Sequence, residues 1–350
     1  MQIAVERSAL LLTTPKAWFV QKRHSAYHFR LFPAVSQHSW RRHALVLTSL
    51  ISRSPARAGN AAGMLAILLW SSTVGLIRSI SEALGPVGGS AMIFTVSGLL
   101  AVLFTGIPAI RGMDRKYLLL SGLIFVGYEI SLALCLGYAH GRGQAMELGM
   151  INYLWPSLTM LFAVLLRQQS ASIMVLAPGI TLAFLGIVWV MKGNDAISAA
   201  RLAANLADNP PAYALAFLAA LLWPAYSVLA RKYGNGKGAV GLYLLATAAV
   251  LWIYYLLSDQ PAMQVNVHSV AEVLVLGTFT AASYSAWNFG IQKGSIGLLA
   301  ILSYFTPILS SWLASAWLGV APPMAFWIGV AMVAAGSLMS WWATRLPERQ

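Results

Sequence analysis

The stretch Gly149-Met-Ile-Asn-Tyr-Leu-Trp-Pro-Ser-Leu-Thr159 puts Asn152, Tyr153, Trp155 and Pro156 within five residues of an otherwise apolar run. Hydrocarbon tolerates polar side chains and open backbone only where they face protein or a wet cavity. A proline inside a helix removes one hydrogen bond and frees the carbonyl four residues earlier, here that of Asn152. The same device recurs as Tyr304-Phe-Thr-Pro307, where Pro307 would free Ser303, and Pro224 would free Ala220. The spacing therefore predicts helix breaks at Pro156, Pro224 and Pro307, around one central cavity; a kink that only improves packing is the other reading.

The recurrence is one of four. Leu68-Leu69-Trp70 with Arg78 returns as Leu221-Leu222-Trp223 with Arg231, Arg142-Gly143 as Lys293-Gly294, and Gly179/Gly186 as Gly329/Gly336. The offsets (68 to 221, 153 to 304, 142 to 293, 179 to 329) run from 150 to 153 residues, so the order and the period agree. A repeated half of this length points to an internally duplicated transporter.

Composition sets the environment. Of 350 residues 59% are hydrophobic and 9% charged, with mean hydropathy +0.70. Soluble domains carry about 25% charged residues, so the chain reads as an all-α integral membrane protein. Ten apolar runs are long enough to span: 61–80, 88–110, 117–139, 144–166, 173–191, 211–231, 238–257, 270–290, 296–318 and 323–344. Five spans per half, an odd number, require the second half to be inserted upside down. The predicted organisation is a basic tail over 1–60 read as disordered, a five-helix repeat over 61–191, a linker over 192–210, a second repeat over 211–344 and a cytoplasmic tail over 345–350.

The net charge of +13 does not mark a nucleic-acid protein. Nine Lys/Arg lie in residues 1–59, and the other fourteen sit in short loops. One side collects Arg111, Arg115, Lys116, Arg167, Arg231, Lys232, Lys237, Lys293, Arg345 and Arg349; the other Arg78, Arg142, Lys192 and Arg201. Positive-inside bias then puts both termini in the cytoplasm. A single cysteine, Cys135, excludes an internal disulfide. No phosphate loop and no paired metal-ligand spacing occur, so neither cofactor nor metal is expected, nor catalysis.

Two five-span halves, a mid-span proline in the fourth span of each and Gly-x6-Gly in the fifth resemble the drug/metabolite transporter superfamily, and within it the ten-helix EamA-type exporters. Ile151-Asn-Tyr-Leu-Trp-Pro156 resembles the aromatic amino-acid branch (YddG-like). The likeness covers about 61–344. It departs where the family often ends the fourth span with Gly-Glu, since Leu166-Arg167-Gln168 and Leu318-Gly319-Val320 stand here. The resemblance implies an exporter of the bacterial inner membrane that moves aromatic and other bulky neutral amino acids by alternating access. Its partners would be the amino-acid substrate and the lipid bilayer, with a monomer favoured. A transporter for a cationic drug or purine is the alternative, and a membrane-embedded enzyme a more distant one.

Helical spacing gathers the candidate binding residues into stripes: Tyr128, Asn152 with Tyr153, Trp223 with Tyr226, Tyr284 with Trp287 and Asn288, and Ser303 with Tyr304. Mid-span Tyr and Trp each need a polar partner, which an aromatic amino acid would provide; ordinary packing is the competing reading. Trp155, about 200° round an unbroken helix from Tyr153, is expected to point elsewhere and ranks second. Glu129, mid-span, meets a substrate ammonium, carries a proton or is a protonated structural group. Arg78 and Glu147 are expected to pair as an outer gate. The small residues around Gly179, Gly186, Gly329 and Gly336 are expected to pack within the subunit.

Overall fold

The computed structural model describes residues 54–345 except 109, 195, 197 and 234–238. Most of the expected basic tail, Lys237 and Arg349 lie outside the described residues. Those described form helices joined by short turns. The first is α1 (Pro55–Ser71), so helix begins ahead of the Ala61 boundary, with proline in its first turn, where a missing N–H costs nothing. It is followed by α2 (Thr73–Leu84), α3 (Pro86–Thr105), α4 (Arg115–Gly137), α5 (Arg142–Asn152), α6 (Trp155–Leu165) and α7 (Ile173–Lys192). The expected linker contains a helix that apolar runs did not signal, α8 (Ala199–Asp208). Then come α9 (Pro210–Tyr233), α10 (Val240–Leu257), α11 (Val267–Lys293), α12 (Ile296–Ser303), α13 (Thr306–Leu318) and α14 (Met324–Ala343).

Eight segments among the described residues are long and apolar enough to cross a membrane. They are α1–α2 together, α3, α4, α5–α6 together, α7, α9, α10 and α14. Their outward faces are apolar: Leu103 is 75% exposed, Leu123 72% and Leu257 82%. Water would not tolerate such a surface, and lipid does; the protein is a multi-pass membrane protein.

Four helix pairings organise the interior: α7 on α14, α1 on α11, α3 on α10 and α4 on α9. The first is backbone against backbone. A Cβ on Gly186 would meet the Gly329 carbonyl at 2.8 Å, and one on Gly336 would meet the Gly179 carbonyl at 2.5 Å. The two Gly-x6-Gly faces thus close on each other within one chain, as small residues permit.

The breaks differ from expectation at one proline. At Pro156 and Pro307 the helix does stop, and each proline falls in the first turn of the helix that resumes. Tyr153 N–H donates to Met150 at 3.0 Å and Leu154 N–H to Ile151 at 3.1 Å; Tyr304 and Phe305 repeat the pattern on Ile301 and Leu302. Pro224 breaks nothing, because α9 runs through it and gives up a single hydrogen bond. The break in the corresponding region of the first half comes from serines. Ser71 Oγ donates to the Ile67 carbonyl at 2.8 Å and Ser72 Oγ to Leu69 at 2.7 Å, where α1 gives way to α2. Serine hydroxyls compete for helix carbonyls in this way and bend the chain.

Candidate functional site

The breaks face a cavity of about 310 Å³ between the two halves of the chain. Its wall holds four tryptophans (Trp70, Trp155, Trp223, Trp287) and four tyrosines (Tyr128, Tyr153, Tyr284, Tyr304), with Glu129, Asn152 and Ser303. Trp223 is the hub: its ring centroid lies 4.8 Å from Tyr128, 6.2 Å from Tyr284 and 6.4 Å from both Trp70 and Trp155. Trp70 packs in turn on Tyr284 at 5.5 Å and Trp287 at 5.4 Å. Tilted and edge-on contacts in this range are the favourable ones for aromatic quadrupoles.

Ten of the twelve expected binding residues line the cavity. Trp155 and Tyr153 both do so, against the 200° separation. That angle assumes an unbroken helix, and the turn at Tyr153–Leu154 re-aims everything after it. Two residues do not line it. Asn288 is exposed, since the stripe of α11 that faces inward is Thr280, Tyr284, Trp287 and Ile291, and residue 288 is turned 100° past Trp287. Tyr226 stands behind the wall, its ring 5.2 Å from Phe125 and 5.6 Å from Trp223. Trp70 escaped the sequence reading, although its repeat mate Trp223 was chosen; the shared Leu-Leu-Trp was the signal.

Glu129 is 7% exposed, and its carboxylate accepts a hydrogen bond from the Tyr284 hydroxyl. This bond joins a helix of the first half, α4, to one of the second, α11. A buried carboxyl needs such a donor.

The expected pair of Arg78 and Glu147 does not form. Arg78 Nε binds Glu82, one turn on in the same helix, at 3.0 Å, and its Nη1 donates to the Ala139 carbonyl at 2.5 Å. Glu147 instead accepts from Tyr213 of α9 at 2.6 Å. A near acid at i+4 outcompetes a remote one. Arg142 completes the cluster, with Nη2 2.7 Å from Glu82 and Nη1 donating to the Leu318 carbonyl at 2.8 Å. Ser79 adds a bond to the buried Glu272 at 2.6 Å. One end of the cavity is therefore tied across α2, α5, α11 and the end of α13. Toward the other end its wall continues through Thr159 and Met160 of α6, Ser227 of α9 and Ile291 of α11.

Comparison with known proteins adds independent findings. Residues 210–342 match the EamA-like transporter family. The chain is 44% identical over 283 residues to the aromatic amino acid exporter YddG of Salmonella typhimurium, covering 81% of this chain and 96% of that one. The YddG exporter of Escherichia coli matches to the same extent. That of Ancylobacter novellus is 29% identical over 297 residues, with 82% and 97% covered. A solved crystal structure superposes with TM-score 0.60 at 26% identity, covering 83% of this chain and 98% of the other.

Proposed function

The chain belongs to the EamA-like transporters, with the YddG aromatic amino acid exporters among its relatives, and on that premise we propose that it exports aromatic and other bulky neutral amino acids across a bacterial inner membrane. The observation that carries this is the cavity wall. Eight aromatic side chains surround one carboxylate, one carboxamide and several serine and threonine hydroxyls, which suits a ring bearing a small zwitterion. Stacking holds the side chain of the substrate, and the polar groups at the breaks hold its backbone end.

The mechanism we propose is alternating access between two inverted five-span repeats, 61–191 and 211–344, joined by 192–210 and followed by a cytoplasmic tail, 345–350. The ten spans comprise the eight apolar segments plus α11 and the broken pair α12–α13. Supporting this, exchanging the halves maps the pairing of α1 with α11 onto that of α9 with α4, and the pairings α3 with α10 and α7 with α14 onto themselves. With both termini cytoplasmic, the Arg78–Glu82–Arg142 cluster is the closed outer gate, and the cavity leads inward. Release to the outside then requires this cluster to part while the inner ends of α6, α9 and α11 close.

Purified protein in liposomes is the test. Preloaded unlabelled tryptophan should drive counterflow of labelled tryptophan, with phenylalanine competing better than threonine or alanine. Absence of exchange for every aromatic amino acid would refute the assignment. Reporter fusions at residues 200 and 350 should lie on opposite sides of the membrane; the same side for both would end the inverted-repeat reading.

A further inference from the structure

The two helix breaks share a backbone pattern and differ in how their acceptors are satisfied. At the second, Thr306 Oγ1 donates to the Ser303 carbonyl at 2.6 Å, replacing the donor that Pro307 lacks. The Ser303 hydroxyl is also spent, on the Ala300 carbonyl at 2.7 Å. At the first break the residue corresponding to Thr306 is Trp155, whose side chain holds no hydroxyl. Among the described residues no side chain donates to the Asn152 carbonyl as Thr306 does to that of Ser303, and the next hydroxyl along, Thr159, donates to the Trp155 carbonyl at 2.6 Å. Asn152 Oδ1 likewise has no partner, although the residue is 6% exposed and lines the cavity.

An unpaired buried acceptor is costly and is rare unless something outside the chain completes it. Resting on the export reading above, we infer that the α5/α6 break is the end of the cavity that takes the substrate's ammonium group, through the Asn152 side-chain oxygen and main-chain carbonyl, while the α12/α13 break takes no charged group. The chemistry selects the ammonium. It brings three N–H donors and no acceptor and so suits both oxygens, whereas a carboxylate brings only acceptors and could use only the Asn152 Nδ2 group. Glu129 on the same wall adds a carboxylate of sign opposite to the ammonium. The amino acid therefore binds in one orientation, with its ammonium at the break of the first half.

The test uses counterflow of labelled tryptophan in liposomes with three competitors: tryptophan, tryptamine, which lacks the carboxylate, and 3-indolepropionate, which lacks the amine. Tryptamine should compete better than 3-indolepropionate in the unsubstituted protein. Asn152→Leu should raise the inhibition constants of tryptophan and tryptamine about tenfold to a hundredfold, as for loss of a hydrogen bond to a charged group, and leave 3-indolepropionate unchanged. Asn152→Asp, which keeps the acceptor, should retain tryptamine competition and weaken 3-indolepropionate; it decides the question if the leucine variant does not fold. Equal weakening of all three competitors, or a preference of Asn152→Asp for 3-indolepropionate, would overturn the orientation while leaving export intact. Failure of the unsubstituted protein to exchange tryptophan would instead strike the export reading itself.

Discussion

The broken pair α5–α6 and the broken pair α12–α13 are the same backbone with different chemistry. Both stop in a turn closed by two i to i+3 hydrogen bonds, and both resume with proline in the first turn. Both end on a left-handed residue, Arg167 with φ 53° and Gly319 with φ 65°. Yet the first presents Asn152 and Trp155 to the cavity, and the second closes on itself through Thr306. The two breaks thus share a chain path while the side chains at matching positions satisfy their acceptors differently.

The comparison presumes that the two halves are docked, and the joint between them should give the largest effect. Gly186→Leu would drive a side chain into the Gly329 carbonyl and Val333, with the Cβ alone 2.8 Å from backbone oxygen. The expected outcome is loss of monodisperse folded protein on size-exclusion in detergent; a normal elution profile would show that α7 and α14 can separate without cost. Next is the bond that crosses between the halves. Tyr284→Phe leaves the buried Glu129 carboxyl without its donor, at a cost of about 1–3 kcal/mol, whereas Glu129→Gln keeps an acceptor for Tyr284 and should cost less. Thermal melts of both variants would rank them, and the reverse order would remove this bond from the stability of the cavity.

A smaller, selective effect is expected at the paired tryptophans. Trp223 packs on Trp70, Tyr128, Trp155 and Tyr284 of the wall, and Trp70 on Trp223, Tyr284 and Trp287, so Trp223→Ala should weaken tryptophan and phenylalanine more than Trp70→Ala does. Each ring contact contributes roughly 0.5–1.5 kcal/mol, so the shift in competition constants should be several-fold to tenfold. Tyr226→Ala, one layer back, should weaken all amino acids alike. The smallest expected change is at the helix ends. Arg167→Gly relieves a left-handed side chain and should stabilise by about 1 kcal/mol, and Gly319→Ala should destabilise by about as much, since nothing lies within 4 Å of its Cβ and only φ opposes it. Unchanged melting of both would mean that these turns relax freely.

Much of this is legible in the amino-acid sequence. Asn152, Tyr153 and Pro156, with their partial echo at Tyr304 and Pro307, located the cavity wall, because polar groups inside an apolar run have few places to go. Less legible were features that depend on direction. Pro224 has the same local chemistry as Pro156, and the neighbours decide whether a helix bends or merely loses a bond. Arg78 was matched with Glu147 by depth, although Glu82 sat one turn away. Asn288 was placed by stripe, and its stripe turned out to flank the cavity.

What the sequence determined by itself is the environment, the period and the residue types: apolar runs, a repeat near 151 residues, aromatic rings at mid-span. These are one-dimensional properties, set by transfer free energy and by helical spacing, and they survive without knowledge of neighbours. Which acceptor is satisfied and which is not depends on the folded chain. Ser303 and Asn152 look alike along the chain, each four residues before a proline. Thr306 reaches one carbonyl at 2.6 Å, and no side chain among the described residues reaches the other, since Thr159 is turned to the Trp155 carbonyl. A hydrogen bond requires a distance and an angle at once, and those belong to the folded backbone rather than to the order of residues.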